Sequence, residues 1–394
     1  MYNSANVLQA RVKKRYDFTG KQRFVATPLS FQGGVGSGSL PTANTANYGD
    51  AIILSKKVYS VVQVDREAIK ASEDDKGAFV RATKEVVEKG VESYMRNCSR
   101  ILFGDGSGIL GRGAGATNVS GAGTTGSPYV VKISAASWKD ANWEEKDFVQ
   151  VVSGMNVSNN LGGSAEASLL EIVAVDTTNL LVSLVGTSAA LAALTGVGPL
   201  PATSGLAMQN SYLQDPSGLK GVIIAPGSST YNIPAQRRWS SVVNDAAGAG
   251  LTPSRMNSTI LDVEKKFGRV PNLIITSYTQ MKKLLDQLEN QKRYSIDPRA
   301  KNLVGKISFD AIEFMSSAGA IPVVADRFCE DDVMYFLNDN FLEVHHRPDF
   351  GWFEDDGTVF LRDVNSDSYS ARYGGYYENF ITPTAHAALI NLAK

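Results

Sequence analysis

Cysteine is nearly absent from this chain: its 394 residues contain two, Cys98 and Cys329. Each lies on or beside an apolar segment, so both read as small buried hydrophobes, and no disulfide framework is indicated. Histidine is almost as scarce, with His345, His346 and His386. Neighbours on a strand point to opposite faces, so His345 and His346 are poorly placed to share a metal. No apolar run approaches the about eighteen residues of a membrane span, and the amino end, MYNSANVLQARVKKRYDF, lacks the apolar core of a signal peptide. Cytoplasmic synthesis is expected, and the sequons at Asn97, Asn118, Asn156 and Asn257 carry little meaning. Net charge is missing too, at -1 from 39 basic and 40 acidic residues, which gives no global attraction to nucleic acid or to an anionic membrane.

Signatures of catalysis are equally thin. The chain has no Walker-type lysine loop, no H-E-x-x-H and no G-x-S-x-G elbow. Gly106, Gly108 and Gly111 match the spacing G-x-G-x-x-G, but they follow a helical pattern rather than a strand, and no acidic residue on a second strand lies about twenty residues on. No catalytic, cofactor-binding or metal-binding residue is assigned, and no cofactor is expected. The acidic turn Glu354, Asp355, Asp356 near Asp349 leaves room for a divalent ion, with solvated hairpin turns as the default. Tyr369, Tyr373, Tyr376, Tyr377 and Phe380 could stack bases, but only Arg372 adds positive charge among them, so packing is the better reading.

What the chain does have is a ribbon followed by a rod. Two β-rich arms, RFVATPLSF (Arg23 to Phe31) and DAIILSKKVYSVVQV (Asp50 to Val64), flank a glycine-rich tip from Gly33 to Tyr48. An isolated hairpin is marginal in water and no third strand adjoins it in sequence, so it is expected to need another surface. Phe79, Ala82, Val86, Val87, Val91, Tyr94, Met95, Cys98, Ile101 and Leu102 then recur at steps of three and four, the pattern of a helix burying one stripe. Its expected start is Ser72, with Asp75 completing a capping-box-like pattern, and Gly104 is a natural stop. Gly90 within it reads either as a hinge or as a tolerated glycine. A projecting ribbon rooted in a rigid rod points to assembly rather than catalysis.

These elements resemble the major capsid proteins of tailed bacteriophages with the HK97-type fold. The carrying motifs are SLPTA (Ser39 to Ala43), AIKASEDDKGAFVRA (Ala68 to Ala82), LFGDGSGIL (Leu102 to Leu110), GLKGVI (Gly218 to Ile223), PNLIITS (Pro271 to Ser277) and IPVVADRFCEDDVMYFLN (Ile321 to Asn338), in the family's order over roughly three quarters of the sequence. The resemblance implies an α+β fold: an N-terminal arm (residues 1–20), an extended loop (21–66), a spine helix of the peripheral domain (67–110), a continuation of that domain (211–240), an axial domain (241–340), and peripheral strands with a C-terminal segment (341–394). Between them, residues 111–210 are poor in charge and hold four strand-like runs, YVVKI, FVQVVS, SLLEIVAV and LLVSLV, with a DTTN turn at Asp176. They read as an inserted small β-domain.

Two further features bear on assembly. The basic residues Arg11, Lys13, Lys14, Arg15, Lys21 and Arg23 face one acid, Asp17, whereas residues 326–367 hold twelve acids against three basic residues. The arm is thus either a solvated tail or a strap that crosses onto an acidic neighbour. Lys21, Lys56 and Lys57 lie at the base of the loop rather than its tip, which argues against the lysine cross-linking found in some relatives. By resemblance, the chain is a structural protein that forms hexamers and pentamers of an icosahedral head enclosing double-stranded DNA without sequence-specific binding. The partners implied are further copies of itself, a portal, a separate scaffolding protein and a decoration protein; no membrane is involved. The location implied is the virion, assembled in the host cytoplasm, with loops around Asn290 to Ala300 near the capsomer axes. The competing readings are an encapsulin-type compartment, which packages enzymes instead of DNA, and an α/β enzyme with a β-rich accessory module.

Overall fold

A computed structural model describes residues 7–15, 18, 20–30, 47–67, 76–115, 121–152, 169–186, 200, 202–289, 312–316, 319–354, 357–363 and 367–394. The loop tip with SLPTA, the expected helix start at Ser72 and the Asn290 to Ala300 loop lie outside them. In chain order the elements are α1 (Val7–Arg11), β1 (Lys13–Arg15), β2 (Gln22–Ser30), β3 (Asn47–Leu54), β4 (Lys56–Asp65), α2 (Lys76–Leu102), β5 (Ile109–Arg112), β6 (Tyr129–Lys132), β7 (Phe148–Val152), β8 (Leu170–Asp176), β9 (Leu181–Gly186) and β10 (Gly205–Met208). There follow β11 (Ser229–Thr230), β12 (Ile233–Pro234), β13 (Val242–Asp245), α3 (Pro253–Phe267), β14 (Leu273–Thr276), α4 (Tyr278–Glu289), β15 (Ile312–Ser316), β16 (Gly319–Ala325), β17 (Met334–Leu337), β18 (Leu342–Trp352), β19 (Leu361–Arg362), β20 (Ser368–Ile381) and β21 (Ala387–Ile390). The chain divides into unit 1 (Met1–Val25, Asp50–Leu219, Glu343–Phe380) and unit 2 (Ala26–Gly49, Lys220–Leu342, Ile381–Lys394).

Unit 1 is built on a long strand, β20. It pairs antiparallel with β4 from Ser368↔Asp65 to Tyr377↔Lys56, and the sheet continues through β18 to β1, which runs parallel to β18. The arm expected from Asp50 to Val64 is therefore two strands of different sheets, broken at Ser55: β3 stays in the ribbon with β2, and β4 joins β20. Alternation along β20 sends Tyr373 and Tyr377 to the helix side, where they meet Tyr94, Cys98 and Phe350, and sends Tyr376 to the other face beside Tyr59 and Phe353. The tyrosine group is thus packing on both faces of the sheet.

Helix α2 buries Tyr94, Cys98, Ile101 and Leu102 as its periodicity requires, but Val86 is exposed, and the side chains of Phe79 and Ala82 lie outside the description. The last turns of α2 are also buried on the side that reads as polar. Arg96 pairs with Glu144 and with Asp147 (2.7 Å), Arg100 pairs with Asp215 (2.9 Å), and Ser99 donates to the Met95 carbonyl (2.9 Å). Burial of a charge is tolerated when it is paired and hydrogen-bonded in this way.

Residues 109–208 form a six-stranded sheet in the order β5-β10-β7-β8-β9-β6, and its two end strands meet. Gly113 bridges Ile133, Ser134 donates its N–H to Arg112 (2.8 Å) and Ala114 to Lys132 (3.1 Å), which closes the sheet into a small barrel. Its interior holds Leu110, Val131, Val151, Ile172, Leu206 and the stacked pair Trp138 and Trp143, 5.5 Å apart. Four of the six strands coincide with the runs read from sequence; β5 and β10 are four residues each and glycine-containing, too short for alternation to show. A Cβ at Gly111 would lie 2.6 Å from the Trp143 ring, and one at Gly108 would overlap the Ser211 carbonyl. Close packing, not a phosphate cradle, accounts for these members of the G-x-G-x-x-G spacing.

Unit 2 is a six-stranded mixed sheet, β13-β21-β17-β14-β16-β15, with the apolar stripes of α3 (Met256, Ile260, Val263) and α4 (Met281, Leu284) in one core with Ile274, Val323, Phe336 and Leu389. The boundaries of α3 follow from its ends: the Thr252 side chain accepts from the Arg255 N–H (3.3 Å), Pro253 opens the first turn, and Gly268 closes it in the left-handed region (φ 64°). At the carboxyl end, β21 joins this sheet by pairing parallel with β13 and antiparallel with β17. Residues 220–240 also belong to unit 2. No helix among the described residues is long and apolar enough to cross a membrane.

Candidate assembly surfaces

The ribbon of β2 and β3 has two unlike faces. Along β2 exposure alternates, so Arg23, Val25, Thr27 and Leu29 turn inward while Gln22, Phe24, Ala26, Pro28 and Ser30 turn outward. On β3, Ala51 and Ile53 are fully buried, and a Cβ at Gly49 would touch Leu29 (2.8 Å) and Ile233 (3.3 Å). The surface that the hairpin is expected to need is thus supplied, on its inner face, by its own chain. Its outer face is not covered. Phe24 is 62% exposed, Tyr48 58% and Leu54 48%. Fully burying a side chain of this kind is worth roughly 1.5–3 kcal/mol, and exposed apolar groups gathered on one face mark an interaction site.

The basic arm and the acidic segment meet within one chain. Lys13, Lys14 and Arg15 pair in parallel with Glu343, Val344 and His345, and Arg15 reaches Glu343 at 3.0 Å. The arm, read from sequence as either a solvated tail or a strap onto an acidic neighbour, lies on β18 of its own chain. From the ribbon base, Arg23 Nη1 lies 3.1 Å from His345 Nδ1. Arginine only donates, so His345 accepts at Nδ1 and carries its proton on Nε2, which faces Glu343 Oε2 at 3.3 Å. One line of polar contacts, Arg15 to Glu343 to His345 to Arg23, fastens arm and ribbon base to the same strand.

The other histidines do unrelated work. His346 stacks on Phe350 (5.1 Å between centroids), away from the contacts of His345, as expected of strand neighbours. His386, fully buried, accepts the Asn338 N–H at Nδ1 (3.2 Å), and burial pushes it down from 6.5 to about 4, so it is neutral. Both cysteines are buried thiols outside any disulfide, and burial raises the Cys98 thiol to about 11. Among the described residues no three His, Cys, Asp or Glu are grouped to hold a metal; Asp355 and Asp356 of the acidic turn lie outside them. Of the loop-base lysines, Lys56 donates to the Asp215 carbonyl (2.6 Å) and Lys57 lies over the Tyr376 ring (6.0 Å).

No family model and no curated protein matches the chain. Among solved structures it is similar to a chain of the cyanophage A-1(L) capsid asymmetric unit, at 13% identity, with 98% of this chain and 91% of that chain covered and a TM-score of 0.52. The chain therefore has the mixed α/β, strand-dominated fold of HK97-like phage capsid chains, the family its motifs resemble. Weaker likenesses are to the holo-SrpI encapsulin complex of Synechococcus elongatus PCC 7942 (8% identity, 99% and 89% covered, TM-score 0.45) and to the capsid of a native GTA particle (10%, 98% and 90%, 0.45). These lower scores add nothing to the assignment.

Proposed function

We propose that the chain is a structural major capsid protein whose copies assemble into the hexamers and pentamers of an icosahedral phage head around double-stranded DNA. The observation that carries this reading is the uncovered apolar outer face of the ribbon, Phe24, Tyr48 and Leu54, on a fold of the capsid type. In this reading α2 is the spine helix, the β20 sheet the peripheral domain, the six-stranded sheet of unit 2 the axial domain, and the barrel an insertion. The outer ribbon face lies on the next copy, a head-to-tail contact that closes into rings and then, through curvature, into a shell. Each contact is modest, and multiplicity makes the container stable. A net charge of -1 suits a wall that encloses DNA without gripping it.

The chain acts in this reading without catalysis, in the virion, after assembly in the host cytoplasm with a separate scaffolding protein and a portal; the barrel offers a decoration protein a place to bind. Electron microscopy of the purified full chain, alone and co-expressed with its scaffolding partner, tests the proposal. Shells, tubes or ring-shaped capsomers are expected. A monomer under every condition overturns it, and protein cargo inside shells that exclude DNA redirects it to a cellular compartment.

A further inference from the structure

Within unit 1, the segment Asp215 to Leu219 is held from several sides. Arg100 of α2 pairs with the Asp215 carboxylate at 2.9 Å, and Lys56 of β4 donates to the Asp215 carbonyl at 2.6 Å. The Ser217 N–H donates to Glu378 Oε1 at 2.5 Å, and Asn379 Nδ2 donates to the Ser217 carbonyl at 2.8 Å. A side chain at Gly218 would overlap the carbonyl oxygens of Ile101 and Gly104, so the end of α2 covers the segment. Leu219 and Phe380 are two of the three residues, with Val25, at which the chain leaves unit 1. Glu378, Asn379 and Ser217 thus staple the end of β20 to segment 215–219.

Glu378 is an unusual residue for such a place. It is 3% exposed, and the cation that acts on it, Lys56, is already bound to a carbonyl. The other charges packed on the segment, Asp215 and Arg100, neutralise each other. Hydrogen bonds from Ser217 and Asn379 favour the carboxylate, but desolvation outweighs them.

We infer that Glu378 is a proton-controlled latch between segment 215–219 and the end of β20: the protonated carboxyl stays closed on Ser217, and the carboxylate opens segment 215–219 to reach water. Burial raises the group from 4.5 to about 7. The sign follows: the closed form holds a proton that the open form releases, so closure is fully favoured below 4.5 and loses that advantage as pH rises to about 7. Opening increases tenfold per pH unit over that window, about 300-fold in all, and levels off above it.

Amide hydrogen exchange on the unassembled full chain, read as protection factors between pH 5 and 8, tests this independently of the shell reading. Peptides covering 215–219 are expected to lose protection about tenfold per unit up to pH 7 and then level off, while a β8 peptide stays flat. In Glu378→Gln the slope disappears. In Asn379→Ala, which removes a donor without a titrating group, protection drops but the slope remains. A flat profile in the wild type overturns the latch even if Glu378→Gln does not fold, and a slope that survives in Glu378→Gln overturns it as well.

Discussion

Gly90 of α2 lies directly against Val62 of β4, so closely that a Cβ on the glycine would overlap Cγ2 of the valine. At this glycine the helix backbone touches a side chain of the sheet, and that contact accounts for a residue that costs a helix interior roughly 1 kcal/mol relative to alanine. Gly90→Ala should therefore destabilise unit 1 by about 1–3 kcal/mol, since overpacking outweighs the gain in helix propensity. Chemical denaturation checks this, and Val62→Ala in the same chain should recover most of the loss. A stabilised Gly90→Ala would show that the helix can move off the strand at no cost.

The arm is held by a pair that is itself weak. Arg15 and Glu343 are 50% and 21% exposed in their side chains, and an ion pair this open contributes about 0–1 kcal/mol. Glu343→Gln should leave the unfolding transition nearly unmoved while loosening residues 7–15. Limited proteolysis should cut the arm faster in the variant than in the wild type, and equal rates would mean that buried Leu8 and Val12 and the pairing of β1 with β18 hold it without the ion pair.

Much of this arrangement was legible in the residues. The ends of α3 were fixed by Thr252, Pro253 and Gly268, whose effects are local and act through one turn. The runs at Tyr129, Phe148, Leu170 and Leu180 were visible because β-branched and apolar residues cluster between turn signals. What escaped is decided by partners distant in sequence. Nothing local to Lys56 or Val64 says that β4 leaves the ribbon for β20, and nothing near Ala387 says that β21 pairs with β13. The burial of Arg96 and Arg100 was hidden for the same reason, since Asp147 and Asp215 reach them only in the folded chain. Charge segregation between arm and acidic segment correctly marked an attraction, but composition cannot tell a contact within one copy from one between two.

His386 gives unit 2 a pH dependence opposite in sign to that of Glu378. Its folded value, about 4, lies below the ordinary 6.5, so the neutral ring contributes stability that is complete above 6.5 and is lost as pH falls to about 4. The full loss is about 3 kcal/mol. Protection of β17 and β21 amides against exchange should fall over that range, and the dependence should vanish in His386→Gln. Unchanged protection at pH 4.5 would mean that the ring accepts a proton without leaving its site.

If the chain assembles as proposed, the outer face of the ribbon is where folding and assembly separate. Phe24 and Leu54 are exposed in the single chain, so charging them removes little that holds the fold, and surface changes of this kind usually stay within about 0.5 kcal/mol. On an interface the same changes place a desolvated carboxylate against a neighbour, which costs several kcal/mol per contact unless it finds a partner. Phe24→Asp combined with Leu54→Asp should therefore give a chain with wild-type unfolding behaviour that forms no shells or capsomers in electron micrographs. Because every copy in a ring repeats the defect, the loss should be all-or-none rather than graded. Normal particles from the double variant would show that this face stays in solvent after assembly, and the contact between copies would then have to be sought on other surfaces.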